Sequence, residues 1–101
     1  MADPVHHAQI VLGRIALVKG DLQAAKDHLV LAGQTSGSPV LKSFGPNMSL
    51  AKELLEKGER EAVIKYFEEC AVFWMHKDKL NQWTAEVRSG QTPEFGANLV
   101  Y

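Results

Sequence analysis

Apolar residues recur at helical spacing along the first third of the chain, in two stretches separated by glycine. The first stretch covers residues 5–18, and Lys19-Gly20 supplies a cation and a left-handed cap at its end. Asp21 can then cap a second helix, which closes at Gly33. The apolar face of this second helix comprises Leu22, Ala25, Leu29 and Ala32. Two helices joined by a Gly-Asp turn predict a tight antiparallel hairpin over about residues 5–33.

The same pattern returns after a connector, residues 34–46, that is rich in glycine, proline and serine. A second hairpin is predicted over about residues 47–74, with Lys57-Gly58-Glu59 dividing its two helices. A fifth, capping helix is predicted over about 77–89. The tail, residues 90–101, ends in apolar residues and is therefore expected to dock rather than lie free in water. No strand pattern is evident, so the expected fold class is all-α.

The two predicted hairpins align with each other when Gly20 is placed on Gly58. Small residues such as Gly13 and Ala51 then fall where helices would cross closely. The aligned pairs are Leu12 with Leu50, Gly13 with Ala51, Ala16 with Leu54, Ala25 with Val63, Leu29 with Phe67, and Ala32 with Cys70. This internal repeat predicts two similar helical units in one domain.

Residues 5–74 resemble two tetratricopeptide repeats, whose pattern is Leu-Gly-x-x-aromatic, then Ala-x-x-x-aromatic, then a small residue. The chain departs from that pattern at Gln9, where the family has tryptophan, and at Ala16 and Leu54, where it has an aromatic residue. The repeat from Gly20 to Gly58 is 38 residues long, against about 34 in the family. The resemblance implies a right-handed stack of two antiparallel hairpins.

Proteins of this family bind ligands in a concave groove lined by the first helix of each hairpin. The resemblance therefore implies a binding groove formed by His7, Ile10, Arg14, Leu17, Met48, Lys52 and Leu55. Arg14 and Lys52 take matching places, so two cations would stand side by side, which suits an acidic group on a protein or peptide partner. The alternative is that both are ordinary solvated residues, because exposed charges usually contribute little.

Aromatic residues near the carboxyl end provide a second set of candidates. Trp83 and Tyr101 are interface candidates because aromatic side chains often anchor protein interfaces, whereas Trp74 is expected in the core. The segment Phe95-Gly96-Ala97-Asn98-Leu99 also echoes Phe44-Gly45-Pro46-Asn47-Met48. Either this echo is chance, or the tail begins a helix or docks as the connector does.

Composition and charge reduce the number of function classes that the chain could belong to. The 101 residues are 46% apolar and 23% charged with a formal net charge of −1, as in an ordinary folded domain. No basic stripe suits nucleic acid, and no apolar run approaches the ~20 residues that span a membrane. Cys70, the single cysteine, excludes an intrachain disulfide and favours the cytoplasm.

Chemistry-bearing residues do not gather into a recognisable site. The adjacent His6 and His7 point in different directions on a helix, and His28 and His76 lie on other elements. We therefore expect no catalytic residues, no metal and no cofactor. The predicted function is a protein-interaction module. The alternative is a self-associating scaffold whose groove is filled by its own tail or by a twin subunit.

Two repeats are fewer than the ~3 that such stacks usually need for stability. A homodimer, or a place within a longer protein, is therefore an expectation alongside the capping helix.

Overall fold

The computed structural model describes residues 4–34 and 45–100, and these residues form five α-helices and no strand. The helices are α1 (Pro4–Val18), α2 (Leu22–Gly33), α3 (Ser49–Glu56), α4 (Arg60–Cys70) and α5 (Lys77–Arg88), followed by a 3-10 turn at Gly96–Leu99. The all-α prediction is confirmed. Most of the predicted connector, including Phe44, lies outside the described residues, as does Tyr101.

Three of the described helices, α1, α3 and α5, end at glycine turns that the sequence predicts. After α1, the Asp21 N–H donates to the Ala16 carbonyl at 2.9 Å and the Gly20 N–H to the Leu17 carbonyl at 3.0 Å. This pair of bonds is a Schellman motif, and it needs the left-handed backbone that Gly20 adopts with a φ of 80°. The turn after α3 repeats both bonds 38 residues further on, from Glu59 and Gly58 to the carbonyls of Leu54 and Leu55.

The first two helices run antiparallel and close together. His6 near the start of α1 donates to the carbonyl of Ala32 at the end of α2, and Gln9 pairs with His28. Gly13 also allows α3 to approach α1 closely, because a Cβ there would collide with a methyl carbon of Leu50 on α3. α1 therefore packs on α3 as well as on α2, and α2 packs in turn on α4.

The core is centred on α4 and continues into an aromatic cluster between α4, α5 and the tail. The cluster consists of Phe67, Trp74, Trp83 and Phe95, whose neighbouring ring centroids lie 5.0 to 6.2 Å apart. Trp74 is buried, as expected. Trp83, an interface candidate from the sequence, is only 5% exposed and contributes to this cluster.

The tail docks on the segment that precedes α3. The Met48 N–H donates to the Asn98 carbonyl at 2.8 Å, and the Asn98 amide donates to the Pro46 carbonyl at 3.1 Å. The two segments that echo each other in the sequence thus contact each other directly. Across residues 4–34 and 45–100, every helix is too short or too polar to cross a bilayer.

Candidate interaction surfaces

A shallow groove lies between α1 and α3. Its lining is mostly charged, and it comprises Arg14, Leu17, Val18, Ser49, Lys52, Glu53, Glu56, Lys57 and Leu99. We call this surface the α1–α3 groove. Its two adjoining depressions have volumes of about 260 and 340 Å³ and open broadly to solvent. Three residues, Arg14, Glu53 and Glu56, line both depressions and therefore lie where the two adjoin.

The groove brings together only part of the residue set that the sequence predicts. Arg14 and Lys52 line one depression, and Leu17 lines the next. Ile10 and Met48 are buried beneath the surface, at 2% and 0% exposure, so they support the groove rather than line it. The two remaining predicted residues lie apart from the described lining: His7 is exposed and Leu55 is half-buried against the core.

Two carboxylates change the electrostatics of the groove. Arg14 Nε donates to Glu53 Oε1 at 2.9 Å, and Arg14 Nη2 donates to Glu53 Oε2 at 3.4 Å. Glu56 lines the same depression as Lys52, so two acids accompany the two cations. A surface ion pair contributes little to stability, but an acidic ligand would have to compete with Glu53 for Arg14. An acidic partner group therefore stays a prediction.

A second surface lies on the side of α1 that faces away from the other helices. We call it the α1 outer face, and it is formed by Val5, Ala8, Val11, Leu12, Ile15 and Val18. All six side chains are exposed, and the exposed fraction of the five large ones runs from 39% at Val11 to 90% at Val18. Val11, Ile15 and Val18 also line a depression of about 210 Å³ that borders the α1–α3 groove at Arg14 and Glu53.

The α1 outer face is as wide as a face that a helix normally buries. At about 100° per residue, its six members fall within an arc of roughly 140°, against the 100° or more of an ordinary core-facing stripe. Within α1, no charged residue falls inside that arc. The opposite side of the helix buries His6, Ile10, Gly13 and Ala16. A helix that is apolar on both sides is typical of a protein interior. α1 therefore has the composition of a helix that packs against partners on both of its sides.

Periodicity alone misses the α1 outer face. Apolar residues occupy both sides of α1, so the sequence does not reveal which side meets α2 and α3. The signal in the sequence is that apolar residues occupy both sides of α1, which is more than one packing partner can cover.

His6, the first of the two adjacent histidines, belongs to a buried network of hydrogen bonds. The His6 Nδ1–H donates to the Ala32 carbonyl at 3.0 Å, and His6 Nε2 accepts the Asn47 N–H at 2.9 Å. The Tyr66 hydroxyl donates to the Asn47 carbonyl at 2.8 Å. These bonds require a neutral imidazole, and they tie α1, α2 and α4 to the segment before α3. Within the described ranges, no group of three or more histidine, cysteine or acidic residues could hold a metal ion.

Three titratable groups are perturbed near the middle and end of α4. Burial raises the pKa of the Cys70 thiol well above its ordinary value of 9.0, which keeps the thiol protonated and unreactive. Burial likewise raises the pKa of Tyr66 well above 10.0, and the neighbouring Cys70 adds to the effect. The pKa of Glu69 is raised by partial burial, against the opposing influence of Lys65. All three effects follow from packing, and none gathers a nucleophile and a base in an open cleft.

Comparison with known proteins gives no assignment. No family model matches the sequence, and searches against curated proteins and solved structures return no match.

Proposed function

We propose that this chain is a protein-interaction module built of stacked helical hairpins of the tetratricopeptide type. Its docking surface is the α1 outer face together with the α1–α3 groove that borders it. The repeated Schellman turns and the packing of α1 on α3 and of α2 on α4 support the repeat architecture. The exposed apolar arc on α1 is the observation that carries the function.

The extent of the arc favours a protein partner. Its exposed side chains form a contiguous apolar patch of a few hundred Å², the size at which exposed patches on monomers are often functional. The arc follows the helix from Val5 to Val18, a length of about 20 Å. An apolar stripe of this length matches the face of another helix, as in recognition of a helix by a groove. The polar groove beside it would form the rim of the interface.

A capture experiment with a matched pair of variants tests this proposal. Val11→Glu combined with Ile15→Lys places charges in the α1 outer face, yet the two new side chains form a favourable i,i+4 pair that preserves the helix. Val72→Glu combined with Met75→Lys makes the same exchange at exposed apolar residues beyond α4. We expect immobilised wild type and the Val72/Met75 variant to retain the same binding proteins, and the Val11/Ile15 variant to lose them.

Circular dichroism of each variant confirms that helicity is unchanged before capture is compared. Equal capture by all three proteins would show that the α1 outer face docks nothing, and the proposed function would then fail.

A structural scaffold is the second candidate function, and the position of the tail favours it. Leu99 lines the same depression as Arg14 and Lys52, so the tail contributes to the wall of the α1–α3 groove. In the same capture assay, Arg14→Gln combined with Lys52→Gln separates the two roles. Capture falls if the groove contacts the partner, and it is unchanged if the groove serves only to seat the tail.

A further inference from the structure

We infer that the α1 outer face binds a second copy of this chain, through an antiparallel pair of α1 helices related by a two-fold axis. This inference rests on the proposed function, because it names the partner of the same surface. Three features of the face carry it: the symmetry of its residue pattern, its charge distribution and its area.

The residues of the α1 outer face are distributed symmetrically along the helix. Val5 and Val18 lie equally far from the midpoint between Val11 and Leu12, and so do Ala8 and Ile15. A two-fold interface needs such a pattern, because one patch must fit its own copy. An axis at the midpoint places Val11 and Leu12 each against its own copy.

The same axis places the small Ala8 opposite the larger Ile15 of the second copy. A small residue facing a large one keeps the separation of the two helices even along their length. Ala8, Val11, Ile15 and Val18 are spaced by three, four and three residues. This spacing is that of a coiled-coil seam, in which the side chains of two helices interdigitate at a crossing angle of about 20°.

The charges along α1 are compatible with self-pairing. An antiparallel arrangement brings the amino-terminal half of one helix, which is partly positive, beside the carboxyl-terminal half of the other. At the border of the face, Arg14 approaches His7 of the second copy. Arg14 already pairs with Glu53 in its own chain, so its charge is partly offset where the two copies meet.

The area of the face predicts a weak, reversible dimer. Two copies of an apolar patch of a few hundred Å² each would together bury on the order of 1,000 Å² or less, which is the low end for a specific interface. A dissociation constant in the micromolar range is the corresponding expectation, since area sets affinity only loosely. The dimer should therefore dissociate on dilution within an accessible concentration range.

Sedimentation equilibrium of the purified full chain, from about 1 μM to about 1 mM, tests the inference in the affinity range it predicts. We expect the mass of the wild type to rise from one chain to two, and the mass of the Val72→Glu/Met75→Lys control to do the same. The dissociation constant of the Val11→Glu/Ile15→Lys dimer should be more than tenfold higher than that of the wild type. A wild type that stays monomeric throughout, or a dimer insensitive to the Val11/Ile15 change, would overturn the inference.

Disulfide trapping tests the position of the axis independently. Leu12→Cys places two thiols beside the axis, whereas Val5→Cys places them about 20 Å apart, since each lies six to seven residues from the midpoint. The buried Cys70 does not compete in the folded protein. We expect rapid formation of a covalent dimer with Leu12→Cys and not with Val5→Cys, and equal rates would overturn the two-fold arrangement.

The two proposals fail in different ways. A monomeric chain that still captures another protein through the α1 outer face would overturn the second copy as partner and preserve the interaction module. If the chain is monomeric and the Val11/Ile15 change does not alter its capture of other proteins, both proposals would be overturned.

Discussion

His6 and His7 show how far a residue's role follows from its position in the sequence. Their adjacency on a helix predicts that they point in different directions, and the structure has His6 buried and His7 exposed. The bonds of His6 to Ala32 and Asn47 were not predictable, because both partners lie more than 25 residues away along the chain. Local geometry gives the direction of a side chain, whereas tertiary packing decides which groups it meets.

Glu69 is the residue whose charge conflicts most clearly with its surroundings. Its Oε1 is buried and has no hydrogen-bond partner among the described residues. The same oxygen lies 3.0 Å from the position that a Cβ on Gly33 would occupy, at the carboxyl end of α2. That end of a helix is partly negative. Partial burial favours the protonated carboxyl and raises its pKa, although Lys65 and a hydrogen bond with Gln34 act in the opposite direction.

Glu69→Gln should stabilise the folded protein at neutral pH. Because the folded-state pKa of Glu69 is raised above the ordinary 4.5, the protonated carboxyl stabilises the folded protein. This contribution to the free energy of unfolding is complete below pH 4.5. It is lost as the pH rises through the folded-state value. We expect Glu69→Gln to raise the free energy of unfolding at pH 7 by less than about 1 kcal/mol, because solvent screens the partly buried carboxylate, and to match wild type near pH 4 in urea unfolding. Glu68→Gln, at an exposed neighbour, is the control, and an equal gain at both pH values would contradict the explanation.

The helices and their ends could largely be predicted from the sequence. Glycine turns at Gly20, Gly58 and Gly90 are local signals, and each has a positive φ where a helix ends. The start of α3 was less predictable: it begins at Ser49, because the residues before it are bonded to the tail instead of extending the helix. The packing faces of α1 were also unpredictable, since its two sides are equally apolar and periodicity cannot distinguish them.

Gly45→Ala should be among the most damaging single substitutions. Gly45 has a φ of 90°, and a Cβ there would lie 2.4 Å from the ring of Trp74 and 2.8 Å from the Asn98 amide. Backbone strain and a collision with the core would add, for a loss of about 3 kcal/mol or more in the free energy of unfolding. Gly58→Ala is the matched control. Its φ is 81° but its surroundings are open, so strain alone should cost about 1 to 2 kcal/mol.

Thermal and urea unfolding of both glycine variants measure this difference. Equal losses at the two positions would mean that the tail and Trp74 do not crowd Gly45, and the docking of the tail on the segment before α3 would then be in error.

At the scale of the whole molecule, the tail is part of the core. Phe95 is buried, and its ring lies 5.0 Å from that of Trp83 and 6.2 Å from that of Phe67. The tail therefore joins the aromatic cluster between α4 and α5 to the segment that leads into α3. The sequence predicts that the tail docks, from its apolar end. The docking site could not be predicted, because it depends on the long-range pairing of residues 45–48 with residues 96–99, which no local pattern specifies.

Phe95→Ala should therefore act as a core mutation, although only six residues of the sequence follow it. Removing a buried phenylalanine typically costs about 3 to 5 kcal/mol, a large part of the roughly 5 to 15 kcal/mol that stabilises a domain. Val100→Ala, five residues further on at an exposed position, should change stability by less than about 0.5 kcal/mol. Urea unfolding followed by tryptophan fluorescence measures both, because Trp74 and Trp83 lie in the affected cluster. If Phe95→Ala lowered the free energy of unfolding as little as Val100→Ala does, the tail would not be part of the core. Phe95 would then not be what holds Leu99 at the α1–α3 groove.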